Sequence, residues 1–180
     1  MEEIIHVSDK DFGISIPNDV IQEYIKKVAS KLDKDYEGKK PIMVCILNGA
    51  FMFAADLVRY ITTFQPEIYF ARFSSYEGMD TTGKVKEVIG LNADITGRDV
   101  IIVEDIVDTG ITMQSVVPIL KDKGAKTVAI CTLLSKPEKL QVDLKVDYSA
   151  MDIPNDFVVG YGLDYNGLGR NYKDIYKVKE

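Results

Sequence analysis

Apolar residues recur at intervals of three and four positions in three parts of the chain. The first pattern covers residues 20–32, and Pro17 just before it is typical of a helix start. The second covers residues 51–61 and the third covers residues 112–123. Pro118 lies inside the third pattern, where it removes one hydrogen bond of a helix and favours a bend. We therefore predict three helices.

Between these patterns lie short apolar or alternating runs of strand length. They cover residues 42–47, 67–73, 100–103, 127–134 and 157–159. The all-apolar run at 100–103 is typical of a strand that is buried on both faces of a parallel sheet. Strands that alternate with helices predict an α/β fold with a mostly parallel central sheet and right-handed crossovers. We expect one domain over residues 1–180.

Charge and the pattern of apolar runs argue against several classes of protein. The formal net charge of −6 repels nucleic acid phosphates. The apolar runs are far shorter than the roughly 20 residues of a membrane-spanning helix. The acidic start MEEIIHVSDK lacks the features of a secretory signal. We expect a cytoplasmic protein with no nucleic acid and no membrane partner, in which Cys45 and Cys131 are buried free thiols.

Candidate chemistry concentrates in the segment VIIVEDIVDTGIT, residues 100–112. Glu104 and Asp105 follow the predicted strand, at the edge where open α/β sheets bind ligands. Backbone N–H groups of residues 108–112, freed by Gly110 and helped by the positive end of the next helix, are suited to holding a phosphate. Carboxylates beside a phosphate indicate ribose hydroxyls, Mg²⁺, or both.

Other interpretations of this segment exist. A Glu-Asp pair at a strand end is often simply solvated. The triplet Asp108, Thr109 and Gly110 also matches aspartic proteases, but those are all-β and need two triplets or a dimer. A Walker-type nucleotide site requires G-x-x-x-x-G-K-[ST], which the sequence lacks.

The 13-residue segment resembles the phosphoribosyl pyrophosphate signature of type I phosphoribosyltransferases. Further matches are ILNGAFMFAADL (residues 46–57), which resembles the pyrophosphate loop of that family, and SSY (residues 74–76), which resembles its mobile catalytic loop. FVVGYGLDYNGLGR (residues 157–170) is similar to the purine-binding end of the hypoxanthine-guanine phosphoribosyltransferases. The resemblance spans roughly residues 40–170 and implies a small purine-binding hood beside the sheet.

The resemblance implies a role for each matching residue of the phosphoribosyl pyrophosphate site. Asp108 is the expected general base toward the purine. The expected 5′-phosphate loop consists of Asp108, Thr109, Gly110, Ile111 and Thr112. Glu104 and Asp105 are expected at the ribose hydroxyls and Mg²⁺, Asp164 at a second Mg²⁺, and Asn48, Gly49 and Arg170 at the pyrophosphate. The family often has Lys where Asn48 stands, so a cationic contact is lost here.

For the purine, the resemblance implies stacking on Phe157, backbone recognition at Val158, and donation by Lys136 to the 6-oxygen, with Asp164 nearby. Ser75 and Tyr76 are expected to belong to a mobile loop within residues 74–86 that covers the reacting centre. The resemblance also implies that the peptide between Leu47 and Asn48 can be cis.

The function implied is purine salvage. Hypoxanthine or guanine and phosphoribosyl pyrophosphate would give IMP or GMP and pyrophosphate, with Mg²⁺ as cofactor, in a homodimer or homotetramer. Two alternatives stay open. One is a regulator of the same fold that senses phosphoribosyl pyrophosphate and binds nucleic acid, and the other is a transferase that prefers xanthine. Lys136 argues against adenine, which has no acceptor at position 6.

Overall fold

The computed structural model describes residues 3–75 and 85–179. In chain order its elements are β1 (Ile4–Val7), β2 (Lys10–Ile16), α1 (Asn18–Tyr36), β3 (Ile42–Ile46), α2 (Phe51–Tyr60), β4 (Glu67–Ser75), β5 (Val85–Ile89), β6 (Asp99–Val107), α3 (Ile111–Asp122), β7 (Thr127–Ser135), a 3-10 turn (Pro137–Lys139), β8 (Tyr148–Asp152), β9 (Val158–Val159) and β10 (Ile175–Val178). The three predicted helices are therefore present in the described part of the chain.

The central sheet has six strands in the order β5-β4-β3-β6-β7-β8. Neighbouring strands from β4 to β8 pair in parallel, whereas β5 runs antiparallel to β4. The predicted α/β fold with a mostly parallel sheet is confirmed. Parallel strands all end at one edge of the sheet, which brings the loops after β3, β6 and β7 together.

Helices cover both faces of this sheet. α1 and α2 pack on the face that carries Met43, Cys45 and Ile101, and α3 packs on the opposite face against Val44 and Ile102. α1 follows its sequence pattern, because its apolar stripe is the side that is buried. Each fully buried Ile or Leu side chain contributes roughly 1.5–3 kcal/mol relative to an exposed one. These two layers hold the carboxyl edge of the sheet in place.

A second, four-stranded antiparallel sheet, which we call the hood, has the order β1-β2-β10-β9. The predicted strand at residues 157–159 is present as β9, which pairs with β10 in the hood and does not belong to the central sheet. The sixth strand of the central sheet is instead β8, which the sequence pattern missed. Its residues YSAMD contain no apolar run, and only Ala150 and Met151 are buried.

Two further boundaries differ from the prediction. β6 continues beyond residues 100–103 to Val107, so Glu104 and Asp105 belong to the strand and do not follow it. α3 begins at Ile111 and contains Pro118 without ending there. Among the helices of the described residues, none is long and apolar enough to span a membrane.

Candidate active site

The loop after β6 forms a small cavity of about 230 Å³ at the carboxyl edge of the sheet. Its lining residues are Glu104, Asp105, Ile106, Val107, Asp108, Thr109, Gly110, Thr112 and Met113. Gly110 has φ 81° and precedes the first turn of α3. A side chain there would be strained and would come within 2.9 Å of Val142. The cavity therefore lies against the N-terminal end of α3, where backbone N–H groups favour an anion.

This cavity contains most of the predicted 5′-phosphate loop. Asp108, Thr109, Gly110 and Thr112 line it, whereas Ile111 does not and has an exposed side chain. Glu104 and Asp105 line the same cavity. The arrangement can hold a phosphate at one end and present two carboxylates at the other.

Asp108 faces two lysines. Its Oδ2 lies 2.9 Å from Nζ of Lys139 and 3.6 Å from Nζ of Lys136. Its Oδ1 is screened from solvent and has no hydrogen-bond partner among the described residues. Lys136 is buried, and its backbone N–H donates to the Val107 carbonyl at 3.0 Å, which fixes the end of β7 beside the end of β6. Asp108 and Lys136 thus come together as expected.

Lys139 is a site residue that the sequence did not indicate. It ends the 3-10 turn that begins at Pro137, and only this turn brings its ammonium group back to Asp108. A Lys three residues after another Lys is ordinarily a solvated surface residue, so neither spacing nor composition marked it.

Glu104 and Asp105 are two adjacent carboxyl groups, of which Glu104 is buried and Asp105 is half-buried. Burial raises the pKa of Glu104 well above its usual value, and the neighbouring Asp105 raises it further. Burial also raises the pKa of Asp105, although the Arg170 guanidinium opposes this. The backbone N–H of Asp105 donates to Oε1 of Glu104 at 3.1 Å, and that of Ile106 donates to Oδ1 of Asp105 at 2.7 Å. Carboxylates buried in this way are suited to a cation or to hydroxyl donors.

The loop after β3 lies directly against Asp105. The peptide between Leu47 and Asn48 is cis. A Cβ on Gly49 would overlap the carboxylate of Asp105, so only glycine fits at this approach. Gly49 therefore lies beside the same carboxylate whose pKa the Arg170 guanidinium acts to lower.

Arg170 and Asp164 form an ion pair. Nη2 of Arg170 lies 2.7 Å from Oδ1 of Asp164, and Nη1 donates to the carbonyl of Gly162 at 2.7 Å. The other oxygen of Asp164 accepts from the backbone N–H of Gly167 at 2.7 Å. The predicted pyrophosphate residue and the predicted metal residue thus hold each other, and both act from one loop of the hood.

Phe157 is presented by the hood as a half-exposed ring. Its exposed fraction is 45%. Tyr165 contacts it edge to face with centroids 5.5 Å apart, and Phe12 lies 6.2 Å away. An aromatic ring that is supported on one side and open on the other can stack on a flat ligand. Val158 is buried in β9, and Phe12 is a supporting residue that the sequence reasoning missed.

The predicted mobile loop lies only partly within the described residues. Ser75 ends β4, where it pairs with Val85, so the predicted loop of residues 74–86 is in part an antiparallel ladder. Tyr76 lies outside the described residues.

A larger cavity of about 760 Å³, between the start of α1 and the end of β8, shares only Val158 with the predicted site.

Comparisons with known proteins agree with this geometry. Residues 18–166 match the phosphoribosyl transferase domain family. The hypoxanthine-guanine phosphoribosyltransferase of Streptococcus pneumoniae is 44% identical over 93% of both chains. Among solved structures, a hypoxanthine-guanine phosphoribosyltransferase of Bacillus anthracis has a TM-score of 0.88 at 38% identity, covering 97% of this chain and 100% of that one. A hypoxanthine phosphoribosyltransferase of Staphylococcus aureus has a TM-score of 0.87 at 39% identity, covering 92% and 90%. The chain therefore belongs to the phosphoribosyl transferase family, and within it to the hypoxanthine-guanine phosphoribosyltransferases.

Proposed function

We propose that this chain transfers the phosphoribosyl group of phosphoribosyl pyrophosphate to N9 of hypoxanthine or guanine, giving IMP or GMP and pyrophosphate. The observation that supports this proposal most directly is the set of contacts around the Asp108 carboxylate. One of its carboxylate oxygens is held by Lys139, while the other is buried without a partner among the described residues, next to the phosphate loop. The side chain as a whole is 38% exposed, so its carboxylate, oriented by Lys139, can accept a proton from a base bound at the loop.

The loop after β6 would hold the phosphoribosyl end of the substrate. Backbone N–H groups near Gly110 and the hydroxyls of Thr109 and Thr112 would bind the 5′-phosphate. Glu104 and Asp105 would accept hydrogen bonds from the ribose hydroxyls, which agrees with their position in the lining of the same cavity.

Mg²⁺ fits the donor set of the site. Glu104, Asp105 and Asp164 supply carboxylate oxygens, which are the ligands that Mg²⁺ prefers. A cation would offset the cost of ionising Glu104, whose pKa is raised by burial. When bound, Mg²⁺ would neutralise part of the charge that develops on the leaving pyrophosphate. Arg170, from the hood, and the backbone of Asn48 and Gly49, from the loop after β3, would contact the pyrophosphate.

The purine would lie between Phe157 and Asp108. N9 forms its bond to C1 of the ribose as the bond from C1 to the pyrophosphate oxygen breaks, and the carboxylate of Asp108 takes the proton from N7. Lys136 would donate to the 6-oxygen and Phe157 would stack on the ring, while the Val158 backbone would read its edge. The reaction would be loose and oxocarbenium-like, so positioning of the leaving group carries much of the catalysis.

Three further expectations stay predictions. They are a single domain over residues 1–180, a cytoplasmic location and a homodimer or homotetramer. The last is supported by Ile68 and Phe70, which are exposed on β4 and pair with Met43 and Cys45 on the sheet face that also carries α2.

The deciding experiment is a panel of free bases tested with phosphoribosyl pyrophosphate and Mg²⁺. We expect nucleotide and pyrophosphate from hypoxanthine and guanine, negligible product from adenine and uracil, and none after chelation of divalent metal. Turnover of xanthine alone would favour the xanthine alternative. Equal turnover of adenine would contradict the role of Lys136. Binding of phosphoribosyl pyrophosphate without turnover of any base would favour the regulator.

A further inference from the structure

Three consecutive residues of the hood have a left-handed backbone. Gly160, Tyr161 and Gly162 have φ values of 98°, 50° and 100°. Glycine adopts such angles readily, but a tyrosine does so only where its surroundings hold it. Strained backbone of this kind is concentrated at functional sites, so the contacts that hold Tyr161 are informative.

The side chain of Tyr161 is buried and anchored to α2. Its hydroxyl donates a short hydrogen bond to Oδ2 of Asp56. Nε2 of Gln22, on α1, donates to the same Asp56 oxygen at 2.8 Å and to the Tyr161 hydroxyl at 3.1 Å. Arg59 donates to the other Asp56 oxygen at 2.9 Å. Burial and the Asp56 carboxylate raise the pKa of Tyr161, so its hydroxyl stays a donor.

The helix that receives this anchor is the one that follows the loop after β3. α2 begins at Phe51, two residues beyond Gly49, and Asp56 lies in its second turn. A shift of Tyr161 relative to Asp56 is therefore a shift relative to Gly49. Neither Tyr161 nor Asp56 lies among the expected substrate contacts.

The residue after Tyr161 touches both parts of the expected pyrophosphate site. A Cβ on Gly162 would overlap the carbonyl oxygen of Gly49, so the two backbones are in close approach. The carbonyl of Gly162 accepts from Nη1 of Arg170 at 2.7 Å, and its N–H donates to the Arg170 carbonyl at 3.0 Å. Arg170 in turn holds Asp164.

We propose that Tyr161, through its hydrogen bond to Asp56, is a positioning residue that sets the distance between the Gly49 loop and Arg170 and thereby the affinity for the pyrophosphate group. The proposal rests on the function proposed above, because it takes Gly49 and Arg170 as the pyrophosphate contacts. Tyr161 itself does not touch the substrate.

The test compares Tyr161→Phe, Asp56→Ala and Asp56→Asn with the parent protein. Two quantities are measured: the Kd of inorganic pyrophosphate with Mg²⁺, by calorimetry, and the KM values of phosphoribosyl pyrophosphate and hypoxanthine. We expect Tyr161→Phe and Asp56→Ala to raise the Kd of pyrophosphate and the KM of phosphoribosyl pyrophosphate roughly 10-fold, if part of the free energy of the lost hydrogen bond to a charged group had held the two contacts at the right distance. The KM of hypoxanthine should stay within about twofold.

Asp56→Asn is the conservative variant. Its amide oxygen can still accept from Tyr161, while its NH₂ group faces Arg59, which is exposed enough to turn into water. We expect Asp56→Asn to keep the parent Kd within about threefold. If Tyr161→Phe fails to fold, the difference between Asp56→Ala and Asp56→Asn decides the proposal.

Tyr176→Phe is the matched control. Tyr176 is equally buried, lies in the same hood, and donates to the carboxylate of Glu3 at 3.0 Å, but it belongs to a different apolar cluster. This variant should lose thermal stability and keep the parent Kd and KM values.

The proposal is overturned if Tyr161→Phe and Asp56→Ala lower Tm but leave the Kd of pyrophosphate unchanged. It is also overturned if Tyr176→Phe raises the Kd as much as Tyr161→Phe does, or if the parent does not bind pyrophosphate. A parent that binds pyrophosphate but turns over no purine would contradict the proposed function alone, since the Kd ratios would still decide the role of Tyr161.

Discussion

Lys139 donates to one carboxylate oxygen of Asp108 and leaves the other without a partner among the residues described. The Asp108 side chain as a whole is 38% exposed at the phosphate loop. Lys139 therefore orients a carboxylate that is open to a proton donor on the substrate. This orientation leads to two predictions, one for Asp108 and one for Lys139.

Replacing Asp108 with Asn should slow turnover roughly 10²- to 10⁴-fold, because the amide keeps the size of the side chain but cannot accept a proton. The KM of hypoxanthine should change little. Single-turnover rates and kcat measure the effect. Asp143→Asn, an exposed change on the loop that follows the 3-10 turn, is the control and should keep the parent kcat. Turnover of Asp108→Asn within a few-fold of the parent would place the base elsewhere.

Replacing Lys139 with Met should lower kcat roughly 3- to 10-fold, because Asp108 loses the donor that orients it while Lys136 remains 3.6 Å away. The effect is modest since the Lys139 side chain is partly exposed. The control is Lys145→Met, which removes a lysine of similar contact, 2.8 Å from Asp147, on the surface. Equal kcat values for the two variants would show that Lys139 does not orient the base.

The residues of the candidate site that lie in one continuous segment could be predicted from the sequence. Asp108, Gly110 and their neighbours are consecutive, so strand, loop and helix start could be inferred together. Lys139 could not, because its contact depends on how the 3-10 turn after Lys136 folds back. The fold, too, could be predicted only in part. Strands with apolar runs were found, whereas β8, with two buried residues, and β10, which pairs with β2 at the other end of the chain, carry little local signal.

The contacts of Tyr161 show the same limit. The partners Gln22 and Asp56 lie 139 and 105 positions away along the chain, and no local pattern joins them. Long-range contacts between polar side chains are set by tertiary structure, which explains why motif reasoning indicated the expected pyrophosphate residues but not the residue that links them.

The metal-free protein should be less stable at pH 8 than at pH 5 as far as Glu104 and Asp105 are concerned. Both pKa values are raised in the folded state. Burial is the largest cause for each, and the neighbouring Asp105 raises the pKa of Glu104 further. Below the usual carboxyl pKa of about 4, both groups are protonated in both states and pH has no effect. As pH rises, the unfolded state ionises first and is favoured, until pH passes the folded pKa values.

Glu104→Gln should therefore raise Tm at pH 8 in the presence of chelator and weaken its pH dependence. About 1 kcal/mol corresponds to roughly 2–4 °C in a chain of this size, so a shift of several degrees is measurable. Glu67→Gln is a control of opposite sign. Its exposed carboxylate has a pKa that the Arg98 hydrogen bond lowers, so its stabilising effect exists only above the usual carboxyl pKa. Its loss should lower Tm at pH 8 slightly or leave it unchanged. A lower Tm for Glu104→Gln would contradict the unfavourable burial of charge.

Cys45 and Cys131 should be unreactive in the folded protein. Both thiols are free and fully buried, on β3 and β7, in the cluster that packs against α1 and α2. Burial raises the pKa of Cys45 to about 12, and burial together with Cys45 raises the pKa of Cys131 still further. The thiolate is the reactive form, so both its low population and its lack of access slow modification.

We expect an aromatic disulfide reagent at pH 8 to label neither thiol of the native protein over the time in which it labels both in concentrated guanidinium chloride. Activity should persist through the native incubation. Cys45→Ala and Cys131→Ala should each retain turnover and lose some stability, because a small cavity replaces the sulfur atom. Comparison of the two variants assigns any residual labelling to one position. Rapid labelling of either thiol in protein that keeps its native Tm would show that the face of the sheet beneath α1 and α2 opens without global unfolding.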